Sequence, residues 1–224
     1  MSSERIIHYN SLGFIEDTLT RQIDLVDSNF VQYKCPAFHH KNSRTFVAHS
    51  SMDFSISIQN KDGHFNIECS DTSIVVLDND HLNSPKPVIQ LSDPKFLFWT
   101  EDDNIWIEIM DHPMTAYNNN FITTNGWWNL SNWSRSNSIG MTIVDEDKPI
   151  IIKEGDPLFR ICFYSSNLDD TYVLRKEEDI SKQERIVNNY IPRHLKSVED
   201  GDWKSKLFSK TTSESRCPFK FLFK

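Results

Sequence analysis

Short runs of alternating or continuous apolar residues recur along most of the chain, and they limit the possible folds more than any other feature. The run at residues 54–58 alternates apolar and polar side chains, and Asp62 and Gly63 precede a second alternating run at 65–69. An Asp-Gly pair between two such runs predicts a β-hairpin. Further strands are predicted at residues 45–48, 73–77, 88–91, 96–99, 105–109, 121–124, 127–130, 139–144, 149–153 and 158–164.

Turn-forming residues close these runs, so the connections between them are short. About a dozen short strands with brief connections are typical of antiparallel β proteins rather than of an α/β enzyme core. The sequence therefore predicts a mainly β fold, either an antiparallel sandwich or a β-clip-like domain. A second hairpin is expected between the strands at 96–99 and 105–109.

The segment PIIIKEGDPLFRICFY, residues 149–164, places a glycine between two apolar runs. Glycine readily adopts the positive φ that a sharp reversal between two strands requires. We predict two core strands hinged at Gly155, with Pro157 restricting the backbone at the exit.

The composition changes after residue 175. Residues 179–190 combine charges with one apolar side, which predicts a single helix that ends before Pro192. We therefore divide the chain into a β-rich domain at 1–175 and a helix with an extended basic tail at 176–224. Residues 203–224 hold six basic residues and one acidic residue, a net charge of +5, which leaves −13 on the rest of a chain whose net charge is −8.

The basic tail ends in alternating aromatic residues, which would line one face of an extended strand. A basic and aromatic arm on an acidic body is a candidate for binding a protein partner. Packing of the tail against the chain's own acidic body is an equally good interpretation. The candidate partner-binding residues are Lys204, Lys206, Lys210, Arg216, Phe219, Phe221 and Phe223.

Motifs for the common catalytic chemistries are missing from the sequence. With six glycines it has no phosphate-binding loop or dinucleotide fingerprint, and it has neither a Gly-x-Ser-x-Gly nor a His-Glu-x-x-His motif. We assign no catalytic residue, no cofactor and no metal ligand, and we expect the well-separated cysteines to be thiols. A metal site assembled from distant histidines is left open, and its candidates are His39, His49, His64, His81 and His112.

The richest cluster of potential ligand-binding side chains lies at residues 125–135. Exposed tryptophans stack on bases or sugar rings, and amides bind the edges of such ligands. The alternative is that the tryptophans pack in the core while Asn and Ser form turns. The candidate ligand-binding residues are Asn125, Trp127, Trp128, Asn129, Asn132, Trp133 and Arg135.

Residues 126–163 resemble the β-clip core of trimeric dUTPases in the order of their elements. Gly126-Trp127-Trp128-Asn129 precedes a strand, an acidic turn at 145–147 and an apolar-Lys-x-Gly-Asp strand entry at 151–158. The resemblance implies that a substrate-binding aspartate belongs at position 129. Asn129 occupies that position, and an amide cannot act as a general base.

A resemblance over most of the chain is to uncharacterised proteins of large tailed phages that infect marine cyanobacteria. It is based on Lys34-Cys35-Pro36-Ala37-Phe38, residues 106–109, residues 118–121, the segments quoted above and the closing Cys217-Pro218-Phe219. This resemblance implies a viral origin and synthesis in the host cytoplasm, with the virion as a second location.

The sequence favours a phage-encoded, non-enzymatic protein-binding factor, either a virion component or an accessory protein. The expected partner is another protein or a second copy of the chain, with a trimer among the options. The acidic body disfavours nucleic acid except at the basic tail, and no run approaches the roughly 20 apolar residues that span a membrane. The alternatives are a nucleotide- or sugar-binding hydrolase on a β-clip scaffold and a cupin-like metal-dependent oxygenase.

Overall fold

The computed structural model describes residues 3–12, 19–29, 31–61, 64–72, 75–78, 88–132 and 135–177. Strands dominate these residues, and the predicted mainly β fold is confirmed. The predicted helix at 179–190 and the basic tail lie outside the described residues. In chain order the strands of the described segments are β1 (Glu4–Leu12), β2 (Leu19–Arg21), β3 (Thr45–His49), β4 (Phe54–Lys61), β5 (His64–Cys69), β6 (Val75–Asp78), β7 (Val88–Trp99), β8 (Trp106–Asp111), β9 (Phe121–Thr123), β10 (Gly126–Asn129), β11 (Arg135–Ile143), β12 (Ile150–Ile152), β13 (Pro157–Tyr164) and β14 (Thr171–Lys176).

Helical structure in the described ranges is confined to short segments. Helix α1 spans Pro36–Ser43, helix α2 spans Thr115–Asn118, and 3-10 turns occupy Gln22–Leu25 and Val31–Lys34. The sequence did not predict α1, which begins with a proline, a residue whose fixed φ suits the first helical position. None of the helices in the described ranges is long and apolar enough to cross a membrane.

The strands form three sheets. A six-stranded sheet has the order β14-β1-β7-β11-β9, with β6 also paired to β7; a five-stranded sheet has the order β10-β8-β13-β3-β2; a three-stranded sheet has the order β12-β4-β5. Among the described strands, β1 and β14 run parallel, and the other pairs are antiparallel. The prediction of antiparallel pairing therefore holds everywhere except at β1–β14.

The sheets share one core, which supports the sandwich form of the predicted fold. Phe98 of β7 meets Phe163 of β13 edge to face at a centroid distance of 6.2 Å, and Phe163 stacks on Tyr172 of β14 at 5.8 Å. Ile56 of β4 and Ile150 of β12 pack in the same cluster. Aromatic pairs of this kind add stability beyond the area that they bury.

The two predicted hairpins have different outcomes. The first is confirmed, because β4 and β5 pair with Lys61 opposite His64. The second is wrong, because β7 and β8 belong to different sheets and residues 100–105 cross between them. The hydroxyl of Thr100 donates to the carbonyl of Ile6 at 2.8 Å, which stabilises the start of this crossing. Asn104, near its end, adopts a φ of 59°.

A buried asparagine joins the three sheets at one point. Asn119 precedes β9 of the six-stranded sheet, and its amide donates to the carbonyl of Ile151 in β12 and to Oδ2 of Asp156, both at 2.8 Å. Asp156 precedes β13 of the five-stranded sheet, and its Oδ2 also accepts from the backbone N–H of Lys153 at 2.9 Å. We call Asn119, Ile151, Lys153 and Asp156 the three-sheet junction.

Gly155 lies inside this junction and has a φ of 85°, so the predicted positive φ is confirmed. Its N–H donates to the carbonyl of Ser50 at 2.8 Å, and the N–H of Ser50 donates to the carbonyl of Asp156 at 2.9 Å. The chain does not fold back as a hairpin here. Instead it passes from the three-stranded sheet to the five-stranded sheet, so the segment at 149–164 is a crossover between two sheets.

Replacing the junction amide tests how much the crossover contributes to stability. Asn119→Ala removes both donated hydrogen bonds, so the carbonyl of Ile151 and Oδ2 of Asp156 each lose a donor, and we expect the free energy of unfolding to fall by about 2–3 kcal/mol. The matched control is Asn118→Ala at the exposed neighbouring position, with an expected change within about 0.5 kcal/mol. Equal urea midpoints for the two variants would contradict the role given to Asn119.

A second polar cluster closes the parallel pair. The carboxylate of Asp170 is fully buried and accepts from Arg5 Nε at 2.7 Å, from Ser165 Oγ at 2.8 Å and from Asn167 Nδ2 at 2.7 Å. Burial works to raise the pKa of Asp170, but the hydrogen bonds from Arg5, Ser165 and the Ser3 N–H outweigh it and the net pKa is lowered. The charged carboxylate therefore holds β1 beside β14.

Acid should weaken this cluster. Because the folded-state pKa of Asp170 lies below the unfolded value of about 3.9, its contribution is complete above that value and is lost as the pH falls through the folded pKa. Asp170→Asn should cost about 2–3 kcal/mol at neutral pH and should flatten the acid limb of a stability–pH curve. Asp169→Asn, at the exposed neighbouring position, should reproduce the wild-type curve, and an unchanged acid limb in Asp170→Asn would refute the assignment.

Candidate functional site

One face of the five-stranded sheet lies in the core, and the other faces away from it. Side chains alternate along β13, so Phe159, Ile161 and Phe163 enter the core while the residues between them point outward. The register carries this division onto the neighbouring strands. The outer face consists of Thr20 of β2, Thr45, Val47 and His49 of β3, Trp106, Glu108 and Met110 of β8, Trp127 and Asn129 of β10, and Arg160, Cys162 and Tyr164 of β13.

The centre of this outer face is covered and its margins are partly exposed. Helix α1 and the 3-10 turn Gln22–Leu25 contact β3. Val47 and Cys162 are fully buried as a result, whereas Glu108 and Arg160 keep contact with solvent. The polar side chains of this face that reach solvent therefore lie along its edges.

A Lys-Tyr-Glu network fastens α1 to the outer face. Lys41 Nζ donates to the hydroxyl of Tyr164, which donates in turn to Glu108 Oε2. Lys41 Nζ also lies 3.6 Å from Glu108 Oε2 and 4.8 Å from the centroid of the Tyr164 ring. Burial, followed by the neighbouring Cys162 and Glu108, raises the pKa of Tyr164, so the phenol stays neutral and acts as a hydrogen-bond bridge.

The predicted ligand-binding cluster does not form one surface. Trp128 points into the core and is 6% exposed, whereas Trp127 points to the outer face, where it stacks on Trp106 at 4.4 Å and 18°. Asn129 is buried, and its Oδ1 accepts from the N–H of Asn132 at 3.1 Å. Trp128 and Asn129 thus follow the alternative interpretation, in which the tryptophan packs in the core and the asparagine stabilises a turn.

The remaining members of that cluster are separated in space or fall outside the described residues. Asn125 is exposed, and its Oδ1 accepts from the N–H of Asp111 at 3.1 Å at the far end of β10. Arg135 begins β11 and lies opposite Phe98 in the six-stranded sheet. Trp133 lies outside the described residues.

The histidines considered as metal ligands are also dispersed. His39 lies in α1 with its ring edge-on to Tyr33 at 5.5 Å, His64 begins β5, and His81 lies outside the described residues. Within the part of the chain that the structure describes, no three His, Cys, Asp or Glu side chains form a group that could hold a metal ion. His49 ends β3 and His112 follows the end of β8, and these two strands flank β13 at the same end of the five-stranded sheet.

Five large apolar side chains are exposed on segments that the three-sheet junction connects. Val144 donates its N–H to the carbonyl of Asn120 at 3.2 Å, and Ile151 accepts from Asn119, so these segments lie side by side with α2 and β9. Tyr117 is 87% exposed. We call this set the terminal apolar patch, and its members are Met114, Tyr117, Ile122, Val144 and Ile151.

The sequence matches no protein-family model and no curated protein. The solved structures similar to this chain include one described as native EIAV dUTPase, with a TM-score of 0.36 and 8% identity over 71% of this chain and 88% of the other. At this degree of similarity the comparison does not assign the chain to a family, and we draw no functional argument from it.

The two adjacent tryptophans should differ in their contribution to stability. Trp128→Ala empties a core position and should lower the free energy of unfolding by about 3–5 kcal/mol. Trp127→Ala removes one stacked, half-buried ring and should cost about 1–2 kcal/mol. Urea unfolding of both variants measures this difference, and a larger loss in Trp127→Ala would contradict the division of the cluster between the two faces.

Proposed function

We propose that this protein is a non-enzymatic binding factor that docks on another protein through the terminal apolar patch. The observation that supports this function is the exposure of five large apolar side chains on adjoining segments, with Tyr117 almost entirely in solvent. Single exposed apolar residues are ordinary, but a group of them at one place marks an interaction site.

The residue types in the patch suit a protein partner. Tyrosine and methionine are enriched where proteins meet, and Tyr117 and Met114 supply both. Removing apolar surface from water stabilises a complex by roughly 25 cal/mol per Å². A partner that covered Tyr117 and Ile151 would therefore gain binding free energy from these two side chains. The segments that meet at the junction are hydrogen-bonded to each other, which keeps the ordering cost of such docking low.

The charge beside the patch indicates which surface chemistry a partner needs. Asp145, Glu146 and Asp147 follow Val144 directly, and Lys148 pairs with Asp145 at 2.7 Å. The turn therefore keeps a net negative charge next to the apolar side chains. The partner that fits is a protein surface with an apolar centre and a basic rim on the side of this turn.

The resemblance to phage proteins supports a setting for this activity. On that basis the protein is phage-encoded, acts in the host cytoplasm during infection, and is either an accessory factor or part of the virion. The hydrolase alternative has less support from the geometry, because Trp128 and Asn129 are buried in structural positions. The oxygenase alternative would need a metal site that the described histidines do not form.

Binding can be tested with a patch variant and a matched surface control. Tyr117→Ser combined with Ile151→Ser removes two exposed apolar side chains of the patch. Val31→Ser removes an apolar side chain that is 80% exposed, against 87% for Tyr117, from a different segment. Tagged proteins are incubated with lysate of infected cells, and retained proteins are quantified by mass spectrometry together with the content of purified virions.

We expect the wild type and Val31→Ser to retain the same partner, and the patch variant to lose it by at least about tenfold. Light scattering of the pure proteins separates a foreign partner from self-association, because only self-association changes the mass of the protein alone. A partner retained equally by all three proteins, or no partner at all, would overturn the proposal.

A further inference from the structure

Three nitrogen-bearing side chains converge at one end of the outer face. Arg160 lies opposite Val47 of β3 and Met110 of β8. His49 follows two positions after Val47 in β3, so its imidazole lies on the same side of the sheet as the guanidinium. His112 follows directly after β8 at the same end of the sheet. Nε of Arg160 bonds to the carbonyl of Asp111, so the guanidinium lies beside the residue that precedes His112.

Each of the three side chains is anchored through its inner nitrogen to the backbone. Nδ1 of His49 donates to the carbonyl of Gly155 at 3.0 Å, and Nε of Arg160 donates to the carbonyl of Asp111 at 2.9 Å. Nδ1 of His112 accepts from the N–H of Met114 at 3.3 Å. These bonds leave the Nε2 atoms of both imidazoles and the terminal nitrogens of Arg160 as the groups through which the cluster can bind a ligand.

The tautomer that its hydrogen bond imposes on His112 favours an anion over a metal ion. A histidine that binds a metal through Nε2 carries its proton on Nδ1, but Nδ1 of His112 faces a donor and must be unprotonated in the neutral ring. Neutral His112 therefore presents an Nε2–H donor. Arg160 adds a permanent charge with several donors in one plane, which is the arrangement that proteins use to hold oxyanions.

The balance of charge in the cluster also favours an anion. Burial, followed by the nearby Arg160 and His49, lowers the pKa of His112, and Asp111 opposes this only in part. An oxyanion between the three groups would relieve the repulsion among them. All three side chains are partly exposed, so such an anion can reach them from solvent.

We propose that His49, His112 and Arg160 form a binding site for a phosphate group, either free inorganic phosphate or the phosphate of a phosphorylated ligand. The tetrahedral phosphate accepts hydrogen bonds from Nε2–H of neutral His112 and from the guanidinium of Arg160. Nε2 of His49 donates as well once that ring is protonated, because the neutral ring carries its proton on Nδ1, where it is donated to Gly155. This site lies on the outer face and is independent of docking through the terminal apolar patch.

The site is tested by following the histidine ring resonances of the pure full-length protein during titration with inorganic phosphate, at constant ionic strength. We expect saturable shifts of the His49 and His112 signals and an upward shift of the His49 titration curve, because bound phosphate favours the protonated His49 ring. Signals of His39, which lies in α1, are the internal control. Acetate as a titrant distinguishes a phosphate site from a general anion site, and glycerol phosphate distinguishes a phosphate ester from free phosphate.

Two variants make the outcome decisive. Arg160→Gln should weaken phosphate binding at least about tenfold, because it removes a charged donor from the site. Lys34→Gln removes one positive charge from an exposed position in another segment and should bind phosphate as the wild type does. Circular dichroism confirms that each variant is folded, and Arg160→Lys provides a second test that keeps the charge.

Shifts that are absent, that never saturate, or that are equal with acetate would overturn the proposal. Equal affinity in the wild type and Arg160→Gln would overturn it as well. Tighter binding of glycerol phosphate than of inorganic phosphate would support a phosphorylated ligand, and the reverse order would support free phosphate.

Discussion

The hydrogen bonds from Asn119 to Ile151 and Asp156 are the constraint on which much of this structure depends. Apolar packing holds the three sheets together, but it has no direction and would tolerate sliding of one sheet against another. Two directional bonds at a buried point fix the relative positions of β9, β12 and β13. The positive φ of Gly155 lets the chain pass from one sheet to the next within four residues. Backbone hydrogen bonds of Gly155 and Asp156 with Ser50 hold these residues in place.

Both candidate surfaces depend on this same point. The terminal apolar patch is built on segments that enter or leave the three-sheet junction, and the anchoring carbonyl of His49 belongs to Gly155. The patch is apolar with an acidic neighbour at residues 145–147, whereas the phosphate site is cationic. One end of the molecule therefore offers two adjacent surfaces of different chemistry, with Met114 in the patch and its N–H on His112.

Alternation of side chains was sufficient to predict most of the strands, because strands such as β4 and β13 bury one face or both. Alternation did not predict the elements whose buried residues are not regularly spaced. Helix α1 buries only Asn42, so it has no apolar stripe to detect, and β14 depends on Tyr172 and on a carboxylate whose partner, Arg5, is distant in sequence.

The candidate site was harder to predict than the strands, since Lys41 contacts Tyr164 across a separation of 123 residues in the sequence. Adjacent tryptophans looked like one surface in the sequence, but strand geometry sends Trp127 and Trp128 to opposite faces.

The parallel pairing of β1 with β14 has a consequence for how the molecule assembles. β1 leaves the ribosome first among the described strands, yet its partner at Thr171–Lys176 and the carboxylate that neutralises Arg5 emerge only after some 165 further residues. Contacts between such distant segments slow folding, because a long loop must close before they gain any energy. Until then β1 presents one unpaired edge, and Arg5 lacks its buried counter-charge. Completion of the sandwich is therefore a late event in synthesis, and the ion pair at Asp170 is the contact that marks it.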